Sequence, residues 1–172
     1  MSEDPRHAVT GARERAEAAR RPAGAGVSGG REVAAARGPV GYALAQATKA
    51  HRVELQRRLA RLGLHLGQEL LVVDLHHNPG TTQAELVQRI GIEQPTMAKV
   101  LTRMERAGFV QRAPDPDDRR VTRLELTERG TAAVDAVQAI WAELDAQAAA
   151  GLGEDDARRL IRLLNTVRDN LA

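Results

Sequence analysis

Leu44, Thr48, His51, Leu55, Leu59 and Leu62 recur at three- or four-residue intervals, the spacing of one buried face of an α-helix. That helix begins at Pro39, because a proline suits a first helical turn whose N–H groups have no partner. Leu70, Leu71, Val73 and Leu75 predict a second helix over about Gly67 to His77, stopped by Asn78-Pro79-Gly80. Thr82 is placed to cap a third, which buries Leu86 and Ile90 and ends at Gly91. The fourth starts near Glu93 with Pro95 in its first turn. Its inner face is Met97, Val100, Leu101 and Met104, and Thr96, Lys99, Thr102, Arg103 and Arg106 are left facing out. After Gly108 the period shortens. Phe109 to Arg112 and Val121 to Leu126 alternate like paired strands about a Pro-Asp turn.

Beyond Thr127 the helical period returns. Val134, Val137, Trp141, Leu144 and Ala148 form one stripe, and Leu160, Leu164, Val167 and Leu171 another. The two short helices between Thr81 and Gly108, joined by a turn at Gly91, have the pattern of a helix-turn-helix, and a basic hairpin directly after it makes a winged helix. The expected fold is therefore all-α with a small β-wing: a winged helix-turn-helix domain over residues 67 to 126 and a helical dimerisation domain made of residues 39 to 66 and 127 to 172. The last two helices carry more apolar surface than a lone winged helix of this size needs, and a helical dimer interface is the economical outlet for it.

Residues 1 to 38 are different in kind. They are rich in Arg, Ala, Gly and Glu, and the stretch Arg21 to Gly30 cannot bury enough apolar surface to offset ordering, so a flexible arm is expected. Ala8, Ala12, Ala16 and Ala19 recur at helical spacing, which leaves a solvated helix over residues 8 to 21 as the alternative.

A length of 172 residues allows one domain of ordinary size plus a tail. The net charge of +2 does not mark a nucleic-acid binder; the placement of charge does. From Thr127 onward five basic residues face eight acidic ones, whereas residues 103 to 123 hold six basic against four acidic. There is no cysteine, so disulfides, thiolate metal sites and cysteine-based redox sensing are excluded. The only serines, Ser2 and Ser28, lie in the arm, which leaves the folded part without a serine nucleophile. One Trp, one Tyr and one Phe cannot build a stacking platform for single-stranded nucleic acid. No phosphate-binding glycine loop occurs, no enzymatic activity is expected, and no cofactor is implied. Absence of a signal-like or membrane-spanning apolar run points to a cytoplasmic protein without a membrane partner.

The chemistry is concentrated in two places. A recognition helix must bring polar groups of its first turns to base edges. Gln94, Thr96, Lys99 and Arg103 supply amide, hydroxyl and cationic groups there, Arg106 continues the basic face, Thr82 stands at the start of the preceding helix, and Pro95 offers an apolar contact to a thymine methyl. At the hairpin, turn chemistry accounts for Asp115 to Asp117 but not for the adjacent Arg119 and Arg120. Arginine at a wing tip suits the negative potential of a narrow minor groove. Asp118 is close enough to hold the Arg120 guanidinium, and Arg119 and Arg123 are candidate phosphate contacts.

Asp118, any residue, Arg120, five residues and then Leu126-Thr127 also form a signature, joined by Pro79-Gly80, Gln83, Leu86, Pro95 and Gly108-Phe109-Val110. In this respect Leu70 to Gly130 resembles the core of the MarR family of dimeric bacterial transcription regulators, and the likeness extends over roughly Pro39 to Leu171. The resemblance implies a homodimer on a pseudo-palindromic double-stranded operator, acting mainly as a repressor, with Arg120 in the groove and Asp118 orienting it. It further implies a small-molecule effector in the crevice between the dimerisation helices and the winged helix, for which His51, Arg52, Leu55, Leu66, Leu70 and Asp74 are candidates. The family includes zinc sensors, but His51, His65, His76 and His77 show no recognised ligand spacing, so no metal ligand is assigned. The alternatives are a zinc-dependent regulator of this type and a winged-helix protein-interaction module that has lost DNA affinity.

Overall fold

Residues 38–172 are described by the computed structural model of the chain; the expected arm over residues 1 to 38, and its alternative helix at 8 to 21, lie outside them except for Gly38. Helix α1 runs Pro39–Leu59 and tightens into a 3-10 turn at Ala60–Leu62. Of its predicted stripe, Leu55 and Leu59 are buried and Leu44 and Leu62 half-buried, while Thr48 and His51 are exposed. Residues 49–172 form one compact unit.

Helix α2, Gln68–His77, buries Leu71, Val72 and Leu75 and ends at Asn78, whose backbone N–H and side-chain amide both donate to the Asp74 carbonyl. A two-residue strand β1, Thr81–Thr82, precedes α3, Gln83–Ile90, and α4, Gln94–Arg106. Gly91 separates the two helices at φ 75°, a left-handed conformation that closes α3 and is costly for any residue with a Cβ. The wing is β2, Val110–Pro114, paired with β3, Thr122–Leu126, in a register running from Val110↔Leu126 to Pro114↔Thr122.

The sheet has three strands rather than the expected two, in the order β1-β3-β2, all antiparallel. Thr81 pairs with Leu124 and Thr82 with Arg123. Two residues are too short a run for an alternating pattern to register, which is why β1 was not legible in advance.

Helices α5, Glu128–Ala148, and α6, Glu154–Leu171, complete the chain. Thr127 caps α5, its hydroxyl accepting from Gly130 N at 3.1 Å and donating to the Gly108 carbonyl at 2.5 Å. Gly130 itself is required by packing: a Cβ there would stand 2.1 Å from the Phe109 carbonyl oxygen. Arg129 lies 4.3 Å from the centroid of the buried Phe109 ring and donates to the Ala107 carbonyl. These contacts hold the start of α5 against the lead-in to the wing.

One core unites Leu55 and Leu59 of α1, Leu71 and Leu75 of α2, Leu86 of α3, Met97, Leu101 and Met104 of α4, Leu124 of β3 and Val134, Val137 and Leu144 of α5. Each such side chain contributes on the order of 2 kcal/mol by leaving water. The α1 and α5 residues assigned to the dimerisation region thus share a core with the winged helix. Helix α6 stands apart, with no buried residue; of its predicted stripe Val167 is half-buried and Leu160, Leu164 and Leu171 are exposed.

Candidate nucleic-acid interface

The outer face of α4 is built by its inner one. Met97, Leu101 and Met104 are fully buried at helical spacing, which turns Gln94, Pro95, Thr96, Lys99, Thr102, Arg103 and Arg106 to solvent. Pro95 sits in the first turn, as expected. Thr102 is satisfied by the Ala98 carbonyl at 2.9 Å and Arg103 Nε reaches the Lys99 carbonyl at 3.3 Å, so both side chains lie along the helix. Ala98, Lys99, Thr102, Arg103 and Arg106 line an open concavity of about 440 Å³ on this face.

Helix α3 is fixed from its N-terminus. Thr82 and Glu85 form a reciprocal capping box, with Glu85 N donating to Thr82 Oγ1 at 3.3 Å and Thr82 N to Glu85 Oε2 at 2.7 Å. The Thr82 N–H and the hydroxyls of Thr82 and Thr81 hold the Glu85 carboxyl below its ordinary range. The Thr82 hydroxyl, expected near DNA, is therefore engaged in the cap. From the other side Arg89 clamps Asp74 of α2, Nη2 to Oδ2 at 2.6 Å and Nε to Oδ1 at 3.0 Å, and also donates to Thr81 Oγ1 at 2.9 Å.

At the wing, Asp115 does more than favour a turn. It is only 5% exposed. Oδ1 accepts the backbone N–H groups of Asp117 and Asp118 at 2.7 and 2.9 Å, and Oδ2 accepts Arg123 Nε. The Asp118 and Asp117 amides, followed by the Arg123 guanidinium, keep its carboxyl below the usual aspartate range. Arg123 also donates from Nη1 to the Gly80 carbonyl at 2.7 Å. Two nitrogens of Arg123, expected as a phosphate contact, are thus committed within the chain, while Nη2 has no partner among the described residues.

Asp118 lies at the apex itself. Its carboxylate accepts the backbone N–H of Arg120 at 2.9 Å and so shapes the turn that carries that side chain. Arg119 and Arg120 are exposed, and neither guanidinium has a hydrogen-bond partner among the described residues. Arg112 of β2 pairs with Glu105, joining the wing to α4. The basic residues of this region therefore divide into a tied set, Arg89, Arg112, Arg123 and Arg129, and an untied set, Lys99, Arg106, Arg119 and Arg120, with Arg103 reaching only the Lys99 carbonyl of its own helix.

The proposed effector residues differ in their surroundings. Leu55 is taken up by the core and Asp74 by Arg89, whereas His51, Arg52 and Leu70 are exposed and Leu66 is half-buried. Glu69, which the sequence did not single out, is 4% exposed with Oε2 unpartnered. Burial pushes its carboxyl up, against the smaller opposing pull of two backbone N–H groups and Arg52. Its only signal was a charged residue inside an apolar stripe. Among the described residues no three His, Asp or Glu side chains are grouped to hold a metal ion, and no helix is long and apolar enough to cross a membrane.

Residues 64–122 match the family model described as MarR family. Over those residues the chain is similar to the MarR family. Solved structures agree with that likeness. A crystal structure of MarR is 26% identical, with 74% of this chain and 87% of that one covered at a TM-score of 0.61. A probable transcriptional regulator from Pseudomonas aeruginosa is 26% identical, covering 74% and 96% of the two chains at a TM-score of 0.64. A mutant MarR from E. coli complexed with operator DNA has the same fold at 23% identity, covering 75% and 93% at a TM-score of 0.65. MarR family proteins are transcriptional regulators and not enzymes, and the winged helix and three-stranded sheet seen here are the architecture of that family.

Proposed function

We propose that this MarR family regulator binds a pseudo-palindromic operator in double-stranded DNA as a homodimer, represses transcription there, and is released by a small-molecule effector. The observation that carries the DNA reading is the division of the cations. Arginines inside the winged helix that serve the fold are paired, while Lys99 and Arg106 on α4 and Arg119 and Arg120 on the wing tip are left for an external anion. Solvated cations clustered on one helix face and one wing tip can bind a phosphate backbone and release its counterions.

In this reading Gln94, Pro95, Thr96, Lys99 and Arg103 meet base edges in the major groove, Arg106 and Arg119 meet phosphates, and Arg120 enters the minor groove. Dimerisation rests on the apolar side of α6, whose Leu160, Leu163 and Leu164 are 43 to 54% exposed in the single chain. The operator complex of the E. coli relative supports the same mode of use.

Operator titration tests it. A dimer making about 6 to 10 phosphate contacts loses on the order of 10³-fold or more in affinity between 50 and 200 mM salt, on half-sites about 10 bp apart. Arg120→Ala should weaken binding by about 1 to 3 kcal/mol without changing the fold, and Gln94→Ala or Arg103→Ala should change which bases are preferred. A flat salt response on a selected duplex would replace this reading with that of a protein-interaction module.

A further inference from the structure

We propose that Arg123 is a positioning residue of the DNA interface, which locks the wing to the loop before α3 and so sets where Arg120 meets the groove. This rests on the reading of Arg120 just given and assigns Arg123 a role that acts through the wing backbone.

Three observations converge on it. Arg123 lies on the central strand of the sheet, opposite Thr82 on one side and Ala113 on the other, where a side chain can reach both neighbours. Its guanidinium uses both directions: Nε goes to Asp115 of the wing and Nη1 to the Gly80 carbonyl, 2.7 Å away. Asp115 in turn holds the backbone amides of Asp117 and Asp118, and Asp118 holds that of Arg120. A chain of hydrogen bonds therefore runs from the loop ahead of α3, through Arg123 and Asp115, to the backbone of the wing tip. Gly80 is followed by Thr81, which Arg89 ties to Asp74, so the anchor is itself held to α2 and α3.

The geometry needs arginine. A planar fork can satisfy a carboxylate and a carbonyl at once, whereas a lysine ammonium at the end of one stem is a single point of contact and leaves one of the two unmet. Asp115 is nearly inaccessible, so its charge depends on these donors rather than on water.

The test uses the full chain and a duplex selected from a random pool by the parent protein. Arg123→Lys keeps the positive charge and breaks the fork. It should weaken binding by up to the loss seen for Arg120→Ala, on the order of 10- to 100-fold. Asp115→Asn keeps the oxygen that accepts the two amides and removes the negative charge facing Arg123. Electrostatics alone would tighten DNA binding when an acidic group is removed; misplacement of the wing weakens it. Placed in an Arg120→Ala background, both variants should add almost nothing, because the contact being positioned is already gone. Thermal unfolding and circular dichroism confirm that each variant is folded, and the conservative nature of both changes keeps at least one readable.

Near-parental affinity for Arg123→Lys, tighter binding by Asp115→Asn, or full additivity with Arg120→Ala would each overturn the proposal while leaving the DNA reading intact. An Arg120→Ala protein that binds like the parent removes the contact itself and overturns both.

Discussion

The winged helix and the C-terminal helix use similar apolar spacing to opposite ends. In α4, Met97, Leu101 and Met104 are completely enclosed by residues of the same chain. In α6, Leu160, Ile161, Leu163 and Leu164 repeat just as regularly, yet all are at least 43% exposed, and the helix contributes nothing to the core. Both helices are amphipathic, but only one has a lid supplied by its own chain. An amphipathic pattern states that a face must be covered and leaves the covering open. For α4 the cover is α3, the wing and the rest of the core; for α6 it is assigned here to a second copy.

The largest effect should come from attacking the uncovered face. Leu164→Asp together with Val167→Asp would bury uncompensated charge in the proposed interface, at a cost of several kcal/mol for each site, which exceeds the margin of a typical domain. Sedimentation should show monomer and operator titration should show half-site or no binding, whereas a dimer that survives would place the interface elsewhere. Removing residues 1 to 38 should leave the dimer intact by the same measurement.

The enclosed face should respond differently. Leu101→Ala opens a cavity in a fully buried site and should cost about 2 to 5 kcal/mol in thermal or denaturant unfolding, with no requirement that dimer affinity change in proportion. If it dissociates the dimer as strongly as the α6 double variant, the distinction between the two faces fails. A smaller loss, about 1 kcal/mol, is expected for Thr82→Ala, which removes the capping box of α3 and leaves its N-terminal amides without a side-chain acceptor.

The smallest expected change reverses the sign. Burial raises the Glu69 carboxyl above its ordinary value of 4.5, so the folded chain holds that proton more tightly than the unfolded one. Stability from this group is present below the ordinary glutamate range and is lost as pH rises through it toward the raised folded value. Glu69→Gln should therefore increase the melting temperature at pH 7 and leave it nearly unchanged well below pH 4.5. Equal effects at both pH values would mean that shape and not charge is what the substitution alters.

Much of this was legible before any coordinates. Periodicity with capping signals located the first four described helices to within a few residues and marked the apolar stripes of the last two, because burying one face of a helix imposes a spacing that survives whatever the neighbours are. Gly91 between α3 and α4, Pro95 in the first turn of α4 and Thr82 as the cap of α3 are local devices, and each was found where its residue type pointed. The wing was marked by Asp-Pro turn chemistry and by alternation in Val121 to Leu126.

Which charges are spoken for was not legible. Arg119, Arg120 and Arg123 are the same side chain within five positions, and in the sequence all three are candidates for DNA. Strand β3 faces Arg123 toward Asp115 and Gly80, residues 8 and 43 positions away, while the apex leaves Arg119 and Arg120 in solvent. The pairing of Asp74 with Arg89, 15 positions later, was equally hidden in the sequence. Chain order determined the elements, the turns and the apolar faces, because these depend on neighbours a few residues apart. The pairing of charges across Gly80, Asp115 and Arg123, the two-residue strand that adds β1 to the sheet, and the burial of Glu69 depend on partners brought together only by the tertiary fold.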